Sequence, residues 1–280
     1  MALFYTKDGI HLRYRTWFPE EPRSVVLLVH GAGEHIERYE HLGHRLSEEG
    51  HAFIVFDLRG FGRSGGKRGH VTHFNQYLDD VDQLVTFFKQ QLPAIPFYLA
   101  GHSLGGLIVT RYVQHRPNRV NGIILSAPAL GFSFGIPQFA NRIVGFISDI
   151  APSFSVNPFR LIKTVRYVPY FNSFIPANVN PETADPLVCS RYSIRWLHEL
   201  LPQTFKAVQQ AKNVFVPVLC MHGEKDPLIP LDVVYNFFKN LTATEKNWLL
   251  VRDAEHLLLH SEQMPTIDTV IHWINRKRLV

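Results

Sequence analysis

The feature that most constrains this chain is an apolar run, Phe97-Tyr98-Leu99-Ala100, that ends abruptly in Gly101-His102-Ser103-Leu104-Gly105-Gly106 and continues as a helix-compatible segment over 107–115. Gly-x-Ser-x-Gly between a strand and a helix predicts a sharp turn that lifts Ser103 above a sheet. Gly101 and Gly105 flank it because a helix folding straight back on its strand leaves no room for side chains. A Gly-rich strand-to-helix turn of any α/β protein would share so short a pattern. The rest of the chain has to separate the two readings.

Residues 3–18 alternate around Lys7-Asp8-Gly9, which predicts two antiparallel strands at a sheet edge. Residues 24–30 are a continuous β-branched and apolar run, as suits a strand covered on both faces. It ends in His30-Gly31-Ala32-Gly33-Glu34-His35, a glycine-rich loop whose backbone amides can turn toward an anion. A helix over about 38–49, a buried strand over 52–57 and an amphipathic helix over 73–92 follow. The glycines of 58–66 lack the lysine and hydroxyl residue of a phosphate loop, so they read as structural. With the buried strand at 120–126, the alternation of strand and helix predicts a mostly parallel sheet flanked by helices, an α/β fold.

That alternation stops at Ala127. Up to about Val214 the chain is rich in proline and aromatics, with helical patches at 137–150 and 191–201 and no convincing buried strand. Long connections of this kind in compact domains are usually functional, so the expected organisation is a core over 1–126, an inserted helical cap or lid over 127–214, and the rest of the core over 215–280. The second part reads as a strand at 216–222, a helix at 231–241, a strand at 248–251 and a helix at 265–276.

Composition narrows the function classes. With 46% hydrophobic and 19% charged residues the chain is a folded globular protein rather than a disordered one. The net charge of +5 does not call for a nucleic-acid partner. Cys189 and Cys220 form no metal, redox or disulfide pattern, which suggests reduced thiols and a cytoplasmic setting. The first eight residues lack the basic start and apolar core of a signal peptide, and no stretch is apolar enough to span a bilayer. Among fifteen histidines, His30, His35, His41 and His44 cluster in sequence, but no tight ligand spacing results. No metal or organic cofactor is expected.

Active residues of open parallel sheets gather at the carboxyl ends of the strands, and Ser103, Asp226 and His256 are all expected there. Their chain order is the one that accompanies a Gly-x-Ser-x-Gly turn. A neutral serine is a weak nucleophile, so a base must take its proton as it attacks an acyl carbon. His256 suits that role, and Asp226 would hold the other ring nitrogen. Asp253 and Glu255 are nearer to His256 in sequence but less well aimed than a strand-end acid across the crevice. His260 and His272 read as helical, and His102 as a packing residue at the strand end. Two donors are needed for the tetrahedral oxyanion, and the backbone amides of Ala32 and Leu104 are the candidates.

His30 to His35, Asp57-Leu58-Arg59-Gly60-Phe61-Gly62-Arg63-Ser64, Gly101 to Gly106, Gly223-Glu224-Lys225-Asp226 and His256 together resemble the monoglyceride lipases of the α/β-hydrolase superfamily. Ala184-Asp185-Pro186-Leu187 is similar to a short cap motif of the same lipases. Leu104 stands where many of them carry methionine. The resemblance implies the α/β-hydrolase fold, Ser103, Asp226 and His256 as a triad, Ala32 and Leu104 at the oxyanion, and a monoacylglycerol or similar single-chain ester as substrate. On that reading the cap aromatics Phe132, Phe134, Phe139, Phe146 and Phe154 line an acyl channel or rest on a membrane surface. A lysophospholipase or broad carboxylesterase would use the same triad, and a catalytically silent hydrolase fold acting as a binding module is the alternative of another class.

Overall fold

The computed structural model describes residues 1–133, 138–157, 185–260 and 265–276. Eight strands form one sheet: β1 (Ala2–Tyr5), β2 (His11–Trp17), β3 (Ser24–Val29), β4 (His51–Phe56), β5 (Phe97–His102), β6 (Gly122–Ser126), β9 (Val218–Gly223) and β10 (Lys246–Val251). Between β6 and β9 in the chain, β7 (Ser155–Val156) and β8 (Tyr192–Ser193) make a separate antiparallel pair. The spatial order of the large sheet is β1-β2-β4-β3-β5-β6-β9-β10. β2 is antiparallel to both its neighbours, and every other pairing is parallel. Val25, Leu27 and Val29 of β3 enter one apolar cluster and Val26 and Leu28 the other, as the two-residue repeat of a doubly covered strand requires.

Helices close both faces. α1 (Glu40–Glu48), entered through a 3-10 turn at Ile36–Tyr39, shares one cluster with the carboxyl-terminal helix (Thr266–Arg276): Leu42 and Leu46 of the first and Ile267, Val270, Ile271 and Trp273 of the second are buried there. On the other face lie α2 (Asn75–Gln91) and α3 (Leu104–His115), with Leu78, Val81, Leu84, Leu107 and Ile108 buried. The stretch between β6 and β9 contributes α4 (Gln138–Ile150) and α5 (Ile194–Gln209), and α6 (Leu231–Lys239) follows β9.

Two elements differ from their sequence signals. The helix expected to end near 201 runs on to Gln209 through Pro202. Trp196 and Leu200 before the proline and Ala207 after it are all buried in the same cluster, and that packing outweighs the roughly 3 kcal/mol that an interior proline costs. Its start is capped by the Ser193 hydroxyl, which accepts the Trp196 amide at 3.0 Å. The β7–β8 pair was not expected; two residues per strand are too few to leave an alternation in the sequence.

The chain places β4 on one side of β3 and then returns to lay β5 on the other. The loops after β3 and β5 therefore leave the sheet side by side and part in opposite directions, which opens a crevice between them. The approach of α3 to the sheet is set by glycine: a Cβ on Gly105 would overlap the Val29 carbonyl, and one on Gly101 would overlap the Gly105 backbone. Backbone cannot swing aside as a flexible side chain can. Gly105→Ala is expected to destabilise the protein by about 3 kcal/mol in urea denaturation; a loss within experimental error would show that strand and helix can separate freely.

Candidate active site

Ser103 sits between β5 and α3 at φ 52° and ψ −116°, a conformation that side-chain-bearing residues rarely adopt and that costs on the order of 1–3 kcal/mol. Its own backbone holds it there. The Ser103 amide donates to Ser126 O at 3.0 Å, and its carbonyl accepts the Leu107 and Ala129 amides at 3.1 and 2.9 Å. His102 and Leu104 on either side are buried while Ser103 is half-buried, so the turn exposes one side chain. Leu104 opens α3, and amides of a helix's first turn have no intrahelical acceptor.

Ala32 lies in the loop after β3. The Glu34 amide donates back to Gly31 O at 3.3 Å, and the Glu34 carboxylate accepts the Gly31 amide at 2.7 Å. Asp57, fully buried, accepts the Ile36 amide with one oxygen and the Arg63 amide with the other, both at 2.8 Å. The 58–66 loop is thus structural, as its sequence suggests. From above, the Cys189 amide donates to Gly33 O at 3.1 Å, the His35 ring spans Asp185 (2.7 Å) and Glu37 (2.8 Å), and Arg68 donates to Leu187 O at 2.6 Å. The motif at 185–187 is a strap over the Ala32 loop; Ala184 lies outside the described residues.

His30 anchors the base of this loop, with Nδ1 bonded to Gly31 O at 2.7 Å and Nε2 accepting the Leu58 amide at 3.0 Å. One nitrogen must donate and the other accept, so the neutral ring is required, and burial lowers its affinity for a proton below that of a free histidine. A folded-state value below the unfolded one means that the unfolded chain gains protons first as pH falls. Stability is therefore whole above about pH 6.5 and declines below it. Urea denaturation at pH 5.5 against pH 7.5 is expected to show a loss of about 1 kcal/mol from this residue, reduced in His30→Asn.

Asp226 follows the end of β9 and His256 the end of β10. Their loops are closed by the Lys225 amide donating to Ala254 O at 2.9 Å and the Glu224 amide to Val251 O at 3.0 Å. Asp226 Oδ2 lies 2.6 Å from His256 Nδ1, and Oδ1 accepts the Leu228 and Ile229 amides at 2.8 and 3.1 Å. Both side chains are almost completely buried. Burial opposes the carboxylate's charge, but the His256 bond and the two amides overcome it and hold Asp226 below the ordinary range. An ionised Asp226 can only accept, so His256 carries its proton on Nδ1, which leaves Nε2 as the ring's basic nitrogen. Asp253 and Glu255 are exposed, and Asp253 pairs with Lys225 at 2.7 Å. Position alone thus favours Asp226. The His256 ring centroid is 4.9 Å from that of His102, the residue before Ser103.

Of the histidines expected in helices, His272 is on the carboxyl-terminal helix and exposed, whereas His260 lies in a turn. Both Thr266 and His41 take up backbone carbonyls beside that turn: Thr266 donates its hydroxyl to Leu258 O, and His41 Nε2 lies 2.9 Å from Leu259 O. These bonds use groups a helix would have satisfied internally. His260 Nε2 reaches Glu34 Oε1 at 2.8 Å, with His102 Nε2 3.8 Å from the same oxygen. Reading the sequence missed this cluster. Its signals were an acidic residue inside the glycine-rich loop and a histidine four places after His256.

Of the aromatics expected to bind substrate, Phe132 is half-buried against the core, and Phe146 and Phe154 are 68% and 61% exposed. Phe134 and the Phe139 side chain lie outside the described residues. Phe146 shares the outer surface of α4 with exposed Ile147 and Ile150. Among the described residues no helix is long and apolar enough to cross a membrane.

With this geometry in view, the family model described as serine aminopeptidase, S33, matches residues 20–263. A monoacylglycerol lipase of Mycolicibacterium smegmatis is 29% identical over 95% of this chain and 93% of its own. The phospholipase YtpA of Bacillus subtilis is 31% identical over 82% of this chain and 86% of its own. Among solved structures, the monoacylglycerol lipase of Paleococcus ferrophilus superposes with a TM-score of 0.76 at 26% identity, covering 99% of this chain and all of that one.

Proposed function

The chain belongs to the serine aminopeptidase S33 family of α/β-hydrolases, and within it we propose that this protein hydrolyses monoacylglycerol to a fatty acid and glycerol through an acyl-enzyme on Ser103. A carboxylic ester hydrolase of the lipase and esterase kind is the class. The observation that carries the mechanism is the buried Asp226–His256 pair at 2.6 Å, at the same end of the sheet as the strained Ser103. In the proposed reaction His256 Nε2 takes the Ser103 proton as Oγ attacks the ester carbonyl. The Ala32 and Leu104 amides hold the oxyanion, and His256 returns its proton to the departing glycerol oxygen. Water then enters by the same route in reverse and releases the fatty acid. A binding module would have no use for backbone strain at a serine on the same end of the sheet as a buried Asp–His pair, which argues against the silent alternative.

The substrate assignment is supported by lipid-ester names at similar identity across nearly the whole chain. The phospholipase relative supports lysophospholipid as the second reading. We treat residues 127–214 as a cap that admits the substrate, with the apolar outer surface of α4 and Phe154 resting peripherally on a membrane. The two free, buried cysteines support a reducing compartment. The test is fatty-acid release from long-chain monoacylglycerol, lysophosphatidylcholine and a short-chain ester. Monoacylglycerol is expected to give a kcat/KM at least about tenfold above the others. Dominant release from lysophosphatidylcholine would move the substrate and leave the mechanism, and a preference for short esters would remove the lipid reading.

A further inference from the structure

We propose that Glu34, His102 and His260 form a binding site for a divalent transition-metal ion of the zinc class, and that the bound ion inhibits the enzyme. One ligand atom from each residue lies within 4.8 Å of the other two. Two of the separations are 2.8 Å, between His260 Nε2 and Glu34 Oε1, and 3.8 Å, between His102 Nε2 and the same oxygen. Ligand atoms around a tetrahedral zinc stand roughly 3.3 Å apart, as metal–ligand bonds near 2.0–2.2 Å require. The two Glu34 separations lie within about half an ångström of that spacing, and the third is bounded by 4.8 Å.

The second observation is the hydrogen-bond accounting. His102 Nε2 and His260 Nε2 are buried polar atoms with no hydrogen-bond partner among the described residues. The 2.8 Å contact of His260 with Glu34 is close enough for a hydrogen bond but lacks its alignment. Buried polar atoms left unpaired cost on the order of 1–3 kcal/mol each, and a metal ion would satisfy both nitrogens at once.

The supporting contacts are those a metal site needs. Glu34 Oε2 accepts the Gly31 amide at 2.7 Å and the Tyr39 hydroxyl at 2.6 Å, which leaves Oε1 facing the rings. His102 Nδ1 is 3.2 Å from Ser126 Oγ, which orients the ring. Ligation uses the lone pair of a neutral imidazole, the form that burial of His102 favours. Two imidazoles and one carboxylate favour zinc, copper or nickel over magnesium or calcium. His260 is the most exposed of the three side chains.

Inhibition follows from position and rests on the proposed role of His256. The His102 ring is 4.9 Å from the His256 ring, so an ion on His102 adds positive charge beside a base that must itself become positive during the reaction. The ion occupies no residue of the proposed triad. It acts by opposing the imidazolium and by fixing the Glu34 loop that carries Ala32.

The test is titration of the purified chain with zinc chloride against a chromophoric chelator, with cobalt(II) absorption as a second readout and magnesium as the control ion. One zinc per chain is expected, with cobalt giving the intense visible bands of a four-coordinate site and magnesium failing to compete. His260→Ala and Glu34→Gln are expected to weaken zinc at least tenfold, while His44→Ala, an exposed histidine outside the cluster, leaves it unchanged. Because His102 is nearly buried, His260→Ala is the variant to rely on, and zinc-dependent elevation of Tm in the unaltered protein checks binding without any substitution. Zinc should lower ester hydrolysis at least tenfold, with activity restored by chelator. Affinity unchanged in His260→Ala, or cobalt without four-coordinate bands, would overturn the site. Full activity with zinc bound would overturn the inhibition. If the protein cleaved no ester at all, the binding measurements would still decide the site, so the two readings fail separately.

Discussion

Ser103→Ala is expected to reduce kcat/KM for long-chain monoacylglycerol by at least about 10⁴-fold while leaving Tm within a degree or two. The size follows from the chemistry: without Oγ there is no acyl-enzyme, and what persists is whatever the oxyanion amides and substrate binding contribute to direct attack by water. Stability should hold because alanine keeps the same backbone, still at φ 52°, with the same three backbone hydrogen bonds. Ser103→Gly makes the complementary case. Glycine takes that φ without strain, so this variant should be equally inactive yet more stable by about 1 kcal/mol. Activity retained in either would remove Ser103 from the reaction, and a Ser103→Gly protein no more stable than wild type would show that the turn holds no strain.

Asp226→Asn is expected to cost about 10⁴-fold in kcat, an effect of tautomer rather than of lost contact. Asp226 Oδ1 already accepts two amides, from Leu228 and Ile229. In the variant the amide oxygen must stay with those donors, which turns the new NH₂ toward His256. Two donors cannot share a bond, so the imidazole moves its proton to Nε2 and can no longer accept one from Ser103. Asp253→Asn provides the contrast: that carboxylate is exposed and holds only Lys225, and activity should change by less than about twofold. Steady-state fatty-acid release from both variants decides between them, and a larger loss in Asp253→Asn would reassign the acid.

The site was legible where chemistry and local folding share the same residues. Gly101 and Gly105 are required by a close backbone approach, so the turn that presents Ser103 leaves a pattern within five positions. Asp226 and His256 were found because strand ends can be read from apolar runs, and their pairing at 2.6 Å joins positions 30 apart. The cluster at Glu34 was not found, because its members come from the loop after β3, the end of β5 and the turn after His256, too far apart in sequence for their weak local signals to be joined. His260 even imitates a helix position, four residues after His256, and only the Thr266 and His41 bonds to the intervening carbonyls reveal a turn. The same limit hid the strap at Asp185, whose partner His35 is 150 residues away. For Phe146, expected in an acyl channel or on a membrane surface, which side of α4 faces outward depends on packing with α5 that no local window contains.

The pairing of β6 with β9 has a consequence for how such a chain can change over generations. Ile123 to Ser126 align in register with Val218 to Met221, so two neighbours in the sheet are separated by about ninety residues of chain. The entropy of closing so long an excursion grows only logarithmically, at about 0.6 kcal/mol per doubling. The sheet is therefore nearly indifferent to what the excursion contains. Insertion, deletion or wholesale exchange of that stretch tests a new entrance above an unchanged serine, and the scaffold behaves as a chassis on which interchangeable tops are tried. A graft from a relative with a different appetite, joined at those two strands, should fold, and the grafted chain should carry the donor's preference with it.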